Sequence, residues 1–294
     1  MVALVNSHSA PAPGIYLCQV NATSSCGACC GLYNLADNGR PALTMLLAQR
    51  TARFDDVPRD VGALDDFAQW AGRRAGPTPL DHFHHCPFLG LIGEKRSRVG
   101  CLLHPLAAGN RGVDLRGLSY YGSFTCRTYF CPASREMAGR HQRLLKQIFD
   151  HWYPYGLVVT EARLVRLLLT AVEARLGGPI DPIAVATTPK AAAAFAHLLS
   201  LKIDWPFRPE PLRTAARIHY LFKDKAHERP AFVSSLPREN EDPRYTAIFQ
   251  ELVSAFSGPH EERRAHRLLD AAIDKAAMAL NPACLKPAVN EDPT

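Results

Sequence analysis

Eight of the nine cysteines lie between Cys18 and Cys131, and they constrain this chain more than any other feature. They are Cys18, Cys26, Cys29, Cys30, Cys86, Cys101, Cys126 and Cys131. The tightest run reads C-G-A-C-C-G-L from Cys26 to Leu32. It is followed by C-P-F-L-G from Cys86, C-L-L-H-P from Cys101 and C-R-T-Y-F-C-P from Cys126. Thiolates are soft, strongly binding metal ligands, so a collection like this first predicts a metal. Disulfides fit less well. The count is odd, a bridge between the adjacent Cys29 and Cys30 is strained, and the first residues lack a charged segment followed by a long apolar one. Buried free thiols explain the isolated Cys284 but not C-x-x-C-C.

Which metal is less constrained. Structural zinc usually shows two C-x-x-C knuckles, and here only Cys26 and Cys29 have that spacing. Cys-Pro occurs at Cys86-Pro87 and Cys131-Pro132, a feature known from ferredoxins. Adjacent cysteines direct their side chains apart, so Cys29 and Cys30 do not easily share one ion. Either one is a ligand and the other packs, or two centres lie side by side. Eight thiolates suffice for two four-cysteine sites without proving two.

Cys26-Gly27-Ala28-Cys29-Cys30, Cys86-Pro87-Phe88-Leu89, Cys101 and Cys126-Arg127 resemble the C-x-x-C-x-x-C-C zinc- or iron-chelating domain family. Two departures stand out: seven residues separate Cys18 from Cys26, and no Arg-Pro precedes Cys126. Flagellin lysine methylases carry a related pattern, which implies an iron–sulfur cluster more than a zinc or iron ion. The resemblance covers the cysteine-bearing half and nothing after about Ala133. It also implies an alternative, a protein-modifying, methylase-like enzyme whose helical half is a substrate platform. An interaction module with structural zinc is a third reading.

The chain has 294 residues, enough for one large domain or two ordinary ones. With 47% hydrophobic and 21% charged residues it has ample material for a core. No stretch approaches the roughly 20 apolar residues of a membrane span; residues 164–172 come nearest and contain Arg166. The expectation is a soluble, cytoplasmic protein without membrane attachment. The net charge of +6 is moderate, and the basic residues between Arg127 and Arg166 alternate with Glu136, Asp150 and Glu161. This argues against nucleic acid and leaves a protein or small molecule as the unidentified partner.

The fold class expected is a small α+β cysteine-rich metal-binding half followed by an all-α helical half. Residues 1–14 form a flexible tail, 15–133 the metal- or cluster-binding domain and 134–294 the helical domain. In the first half, residues 14–17 predict a short strand, 41–54 and 58–72 two helices, and 98–103 a strand pairing with 89–92. Pieces this short leave metal as the main staple. In the second half the spacing predicts helices over 134–152, ended by Pro154, and over 161–176, 188–202 and 209–225. One more opens at Asp242-Pro243, and the last follows Gly258-Pro259.

His82, His84 and His85 precede Cys86, and His104 follows Cys101. Imidazole binds zinc, iron and copper, but eight thiols already exceed one site's needs, so these histidines read as loop residues. His141 reads as a core-edge histidine. No phosphate-binding loop, nucleophile elbow or H-E-x-x-H stands in a fitting context. Glu161 and Glu173 read as solvated, and no catalytic residue is assigned.

Overall fold

A computed structural model describes residues 15–81, 83–209, 221–222, 225–226, 232–236 and 242–282. The chain is mostly helical, with a small antiparallel hairpin near the cysteines. A 3-10 turn over Ala28–Cys30 precedes helices α1 (Arg40–Asp55) and α2 (Val61–Ala75). The Asp60 carboxylate caps α2 by accepting from the Ala63 amide at 2.9 Å. Strands β1 (Leu89–Ile92) and β2 (Arg98–Cys101) follow as the sequence predicts, with Leu89 opposite Cys101.

Helix α1 is clamped onto β1 by Thr51. Its hydroxyl accepts from the Leu91 amide at 2.7 Å and lies 3.0 Å from the Leu91 carbonyl. Around this clamp Leu43, Leu47, Phe54, Leu64, Phe67, Phe88, Leu89, Val99 and Leu103 are buried together. Phe67 packs edge-on to Phe54 at 5.0 Å and stacks on Phe88 at 5.7 Å. The cysteine-bearing half thus has an apolar core of its own. That corrects the expectation of metal as its main staple: residues of α1 and α2 pack in one core with those of the hairpin. The strand expected at 14–17 does not form over its described residues. Instead an isolated bridge joins Gln19 to Ser25, and the Cys26 amide donates to the Cys18 carbonyl at 2.8 Å.

The helix expected over 134–152 is three pieces: α4 (Pro132–Glu136), α5 (Gly139–Ile148) and α6 (Trp152–Val159), after a short α3 (Gly122–Thr128). Pro154 does not end a helix; it stands in the first turn of α6, where a proline needs no amide partner. The His151 side chain caps that turn by accepting from the Tyr153 amide at 3.1 Å. Helix α7 (Ala162–Leu176) ends on Gly177 in the left-handed conformation. Helices α8 (Pro182–Thr187), α9 (Pro189–Asp204), α10 (Pro243–Glu251) and α11 (Pro259–Leu280) complete the bundle. The helix expected over 209–225 lies mostly outside the described residues; Leu221–Phe222 (β3) and Lys225–Ala226 (β4) pair as strands.

Helix α11 packs on α9 and α7 around Phe195, Leu198, Leu168, Leu169, Leu269 and Ala276. Helix α6 is apolar throughout, and six of its eight residues are buried. Trp152 and Leu157 belong to the core of the cysteine-bearing half, Tyr155, Val158 and Val159 to the helical core. The Tyr33 hydroxyl donates to the Tyr153 carbonyl at 3.1 Å, and the Tyr155 hydroxyl donates to the Leu17 carbonyl at 2.7 Å. Residues on both sides of position 133 thus share these cores. Among the described residues no helix is long and apolar enough to cross a membrane.

Candidate metal centre

All eight candidate cysteines are free thiols, and Cys284 and His82 lie outside the described residues. Local backbone geometry first fixes where each sulfur sits. Gly31, with φ at +74°, ends the turn that carries Cys29 and Cys30. A Cβ there would collide with the His84 carbonyl, so glycine is what lets this turn lie against the chain before Cys86. The Cys86 amide then donates to the Cys30 carbonyl at 2.8 Å, although 56 positions separate them. The hairpin adds Cys101: its partner is Leu89, and the Leu102 amide donates to the Phe88 carbonyl at 2.9 Å.

Cys126 comes to this corner on α3. Its sulfur lies 3.2 Å from the Ser119 hydroxyl, while Tyr120 stacks on His84 at 4.1 Å and Tyr121 meets the same ring edge-on at 5.7 Å. On the other side of the Ala28–Cys30 turn, Cys18 is tied to Cys26 by the backbone bond given above. Tyr16 meets Phe130 edge-on at 6.3 Å, which brings Cys131 to Cys18. Cys131 itself rests against the helical core.

The sulfurs that act on one another electrostatically follow the same division. Cys18 feels Cys29 and Cys131, and Cys26 feels Cys29, Cys18 and Cys131. Cys30 feels Cys86 and Cys101 besides Cys29; Cys86 feels Cys101 and Cys126, and Cys101 feels Cys126. Cys29 and Cys30 hydrogen-bond each other where the groups meet.

Burial raises most of these thiols, and repulsion by neighbouring sulfurs adds to it. Cys18 and Cys86 are pushed up to about 12 and Cys101 to about 11. Cys26 and Cys30 are raised as well: burial leads for Cys26, the hydrogen bond with Cys29 for Cys30. Cys29 is held low, chiefly by that same bond. One local device opposes the rise. The amide two residues on donates to sulfur at Cys26 (from Ala28, 3.5 Å), at Cys86 (from Phe88) and at Cys101 (from Leu103). An amide aimed at sulfur favours thiolate over thiol, which is the form a metal needs. A cation would also reverse the repulsion among the sulfurs.

Charges nearby were not legible as site residues. Arg50, fully buried on α1, donates to the carbonyls of Cys86 (3.3 Å) and Ala71 (3.2 Å), and its Nε has no partner. Among the described residues no carboxylate pairs with it, and Cys86 is the acidic group that acts on it. The signal in the sequence was its position: Leu43, Leu47, Arg50 and Phe54 form one buried face of α1. Arg116 lies near Cys101 and Cys126, but it is held by Asp114 at 2.8 and 2.7 Å. Around Cys18, Cys26, Cys29 and Cys131 the neighbours are instead the phenols of Tyr16, Tyr129 and Tyr155.

His85 is buried beside Cys86, with Nδ1 2.8 Å from the Gly31 carbonyl. A carbonyl only accepts, so Nδ1 carries the proton and Nε2 presents a lone pair, buried without a partner. Burial, then the charge of Arg50, lowers this imidazole to about 3. His84 Nε2 is likewise unpartnered, whereas His104 Nδ1 accepts from the Leu106 amide at 3.1 Å. His141 sits at the core edge, 3.3 Å from Glu173.

As the side chains stand, no three His, Cys, Asp or Glu among the described residues form a group that could hold a metal ion. Glu161 and Glu173 are not the solvated residues expected. Glu161 is buried 2.6 Å from Lys202, and Glu173 accepts from Arg140 at 2.7 and 3.0 Å and from the Ile180 amide at 3.2 Å. Both tie helices together, because a buried carboxylate persists only when paired. No family model, curated protein or solved structure matches the chain.

Proposed function

We propose that this is a metal-binding protein whose eight clustered thiolates, Cys18, Cys26, Cys29, Cys30, Cys86, Cys101, Cys126 and Cys131, hold iron–sulfur chemistry. The observation that carries the reading is convergence: backbone hydrogen bonds join Cys18 to Cys26 and Cys30 to Cys86 on either side of one turn, Ala28–Cys30, and the β1–β2 register sets Cys101 opposite Leu89. Chance burial of thiols gives no reason for amides to be aimed at three of them. The motif resemblance described above supports the same reading.

Iron–sulfur is favoured over a zinc or iron ion on two grounds. The spacing lacks a second knuckle, and Cys-Pro recurs at Cys86-Pro87 and Cys131-Pro132.

The test is metal analysis of protein purified without oxygen. The expected result is a brown protein with broad visible absorption and acid-labile sulfide. A colourless protein with stoichiometric zinc replaces the cluster and keeps the thiolate site. Protein purified with neither metal, and taking up neither on reconstitution, overturns the reading.

A further inference from the structure

We infer that the cleft between residues 15–21 and helix α5 is a binding site for a phosphate monoester, a small phosphorylated molecule with an apolar body. The inference is independent of the proposed metal and gives the chain a second ligand.

The cleft encloses about 550 Å³, the size of a small-molecule site. Ile15, Tyr16, Val20 and Asn21 line one side, Arg143, Lys146 and Gln147 the other. Both walls are fixed by bonds behind them. The Tyr155 hydroxyl donates to the Leu17 carbonyl at 2.7 Å, and the buried Ser24 hydroxyl donates to the Phe149 carbonyl at 2.6 Å, just past the end of α5. Asn21 Oδ1 accepts from the amides of Thr23 (2.9 Å) and Ser24 (2.7 Å). That sets the side chain and leaves its Nδ2 without a partner among the described residues. On α5 the residues His141, Gln142, Leu144 and Leu145 are buried, so 143, 146 and 147 share the outward face. A Cβ on Gly139 would stand 3.7 Å from Arg143 Nη1 and 3.8 Å from Ile15 Cδ1. The guanidinium and the Ile15 side chain therefore come together over the first turn of α5.

Charge selects the ligand. Arg140, one turn earlier on α5, is taken by Glu173 at 2.7 and 3.0 Å, but neither Arg143 nor Lys146 has an ion-pair partner among the described residues. No carboxylate lines the cleft. Two unpaired cations on adjacent turns suit a dianion: a guanidinium fork pairs with phosphate oxygens bidentately, and an ammonium adds a point charge. The amides of Asn21 and Gln147 supply further donors. Ile15, Val20 and the Tyr16 ring form an apolar wall beside these donors, which suits the organic part of an ester and gives a bare inorganic ion nothing.

The experiment is calorimetric titration of the full-length protein with phenyl phosphate, beside phenol and inorganic phosphate. Phenyl phosphate is expected to bind about tenfold or more tightly than either fragment, and more weakly as salt rises. Arg143→Gln/Lys146→Gln should lose about tenfold or more in affinity. Its melting temperature should not change, because both side chains lie outside the core and glutamine suits a helix. Arg166→Gln/Lys190→Gln removes the same charge from exposed positions on α7 and α9, away from the cleft, and should bind as the wild type does. Absence of saturable phenyl phosphate binding overturns the inference. So does inorganic phosphate or phenol binding as tightly as the ester, and so does an equal loss of affinity in both double variants.

Discussion

Arg50 is the residue whose position says most about charge at the centre. A buried guanidinium with only carbonyl partners needs an anion nearby. Replacing it, Arg50→Met, keeps most of the packing volume and removes the charge. Release of the proposed metal to a chelator should then accelerate about tenfold, the scale on which outer partners tune metal sites. Unchanged release kinetics would show that Arg50 is merely packed. Gly31 belongs to the same scale. Alanine there meets both a positive φ and the His84 carbonyl, so Gly31→Ala should cost about 2 kcal/mol or more, read as a lower melting temperature. The sequence showed Gly31 as part of the motif, but not that the approach of residues 84–86 is what requires it.

At the scale of elements, α6 and the Glu173 junction make the sharpest predictions. Gly156 lies against the Tyr33 ring, and a Cβ there would collide with the phenol oxygen. Helix propensity alone favours Gly156→Ala by about 1 kcal/mol, yet the variant should be less stable. Tyr33→Phe in the same chain should recover part of the loss, and an alanine variant as stable as wild type would mean α6 is not packed this way. Glu173 joins α5, α7 and the turn before α8. Its carboxyl is held down to about 2, chiefly by Arg140, against an ordinary value of about 4.3. A depressed acid stabilises the fold above its unfolded value and loses that stabilisation as pH falls towards the folded one. Melting temperature should therefore drop from about pH 5 downward, and Glu173→Gln should flatten that drop while costing about 2 kcal/mol at neutral pH. Sequence spacing located α7 well but could not show that Glu173 turns inward to partners from α5.

For the whole molecule, removing the proposed metal should not unfold everything. Both halves have apolar cores, but among the described residues none from 104 to 132 is both apolar and buried. That stretch carries Cys126 and Cys131, and Leu106, Val113, Tyr120 and Phe124 are exposed on it. A segment with so few apolar contacts opens at low cost once its ligands are freed. Chelation should make residues 104–132 the first site of proteolysis, with fragments spanning α7 and α9 persisting. Simultaneous degradation of the whole chain would show that the metal holds both cores.

The sequence by itself determined the cysteine collection, the C-C pair that one ion does not easily share, the β1–β2 hairpin and the helices with clear apolar stripes. These rest on short-range rules: ligand chemistry, periodicity of 2 or 3.6, and glycine or proline at helix ends. The tertiary structure alone decided which cysteines the backbone brings together, that Arg50 on α1 lies beside Cys86, that α6 starts at Trp152 and is mostly buried, and that Glu161 and Glu173 are paired inside. Each depends on backbones that meet across long sequence separations, as Cys30 meets Cys86 and Leu17 meets Tyr155. Local spacing carries no record of those meetings, because they are selected by how the two cores pack on α6.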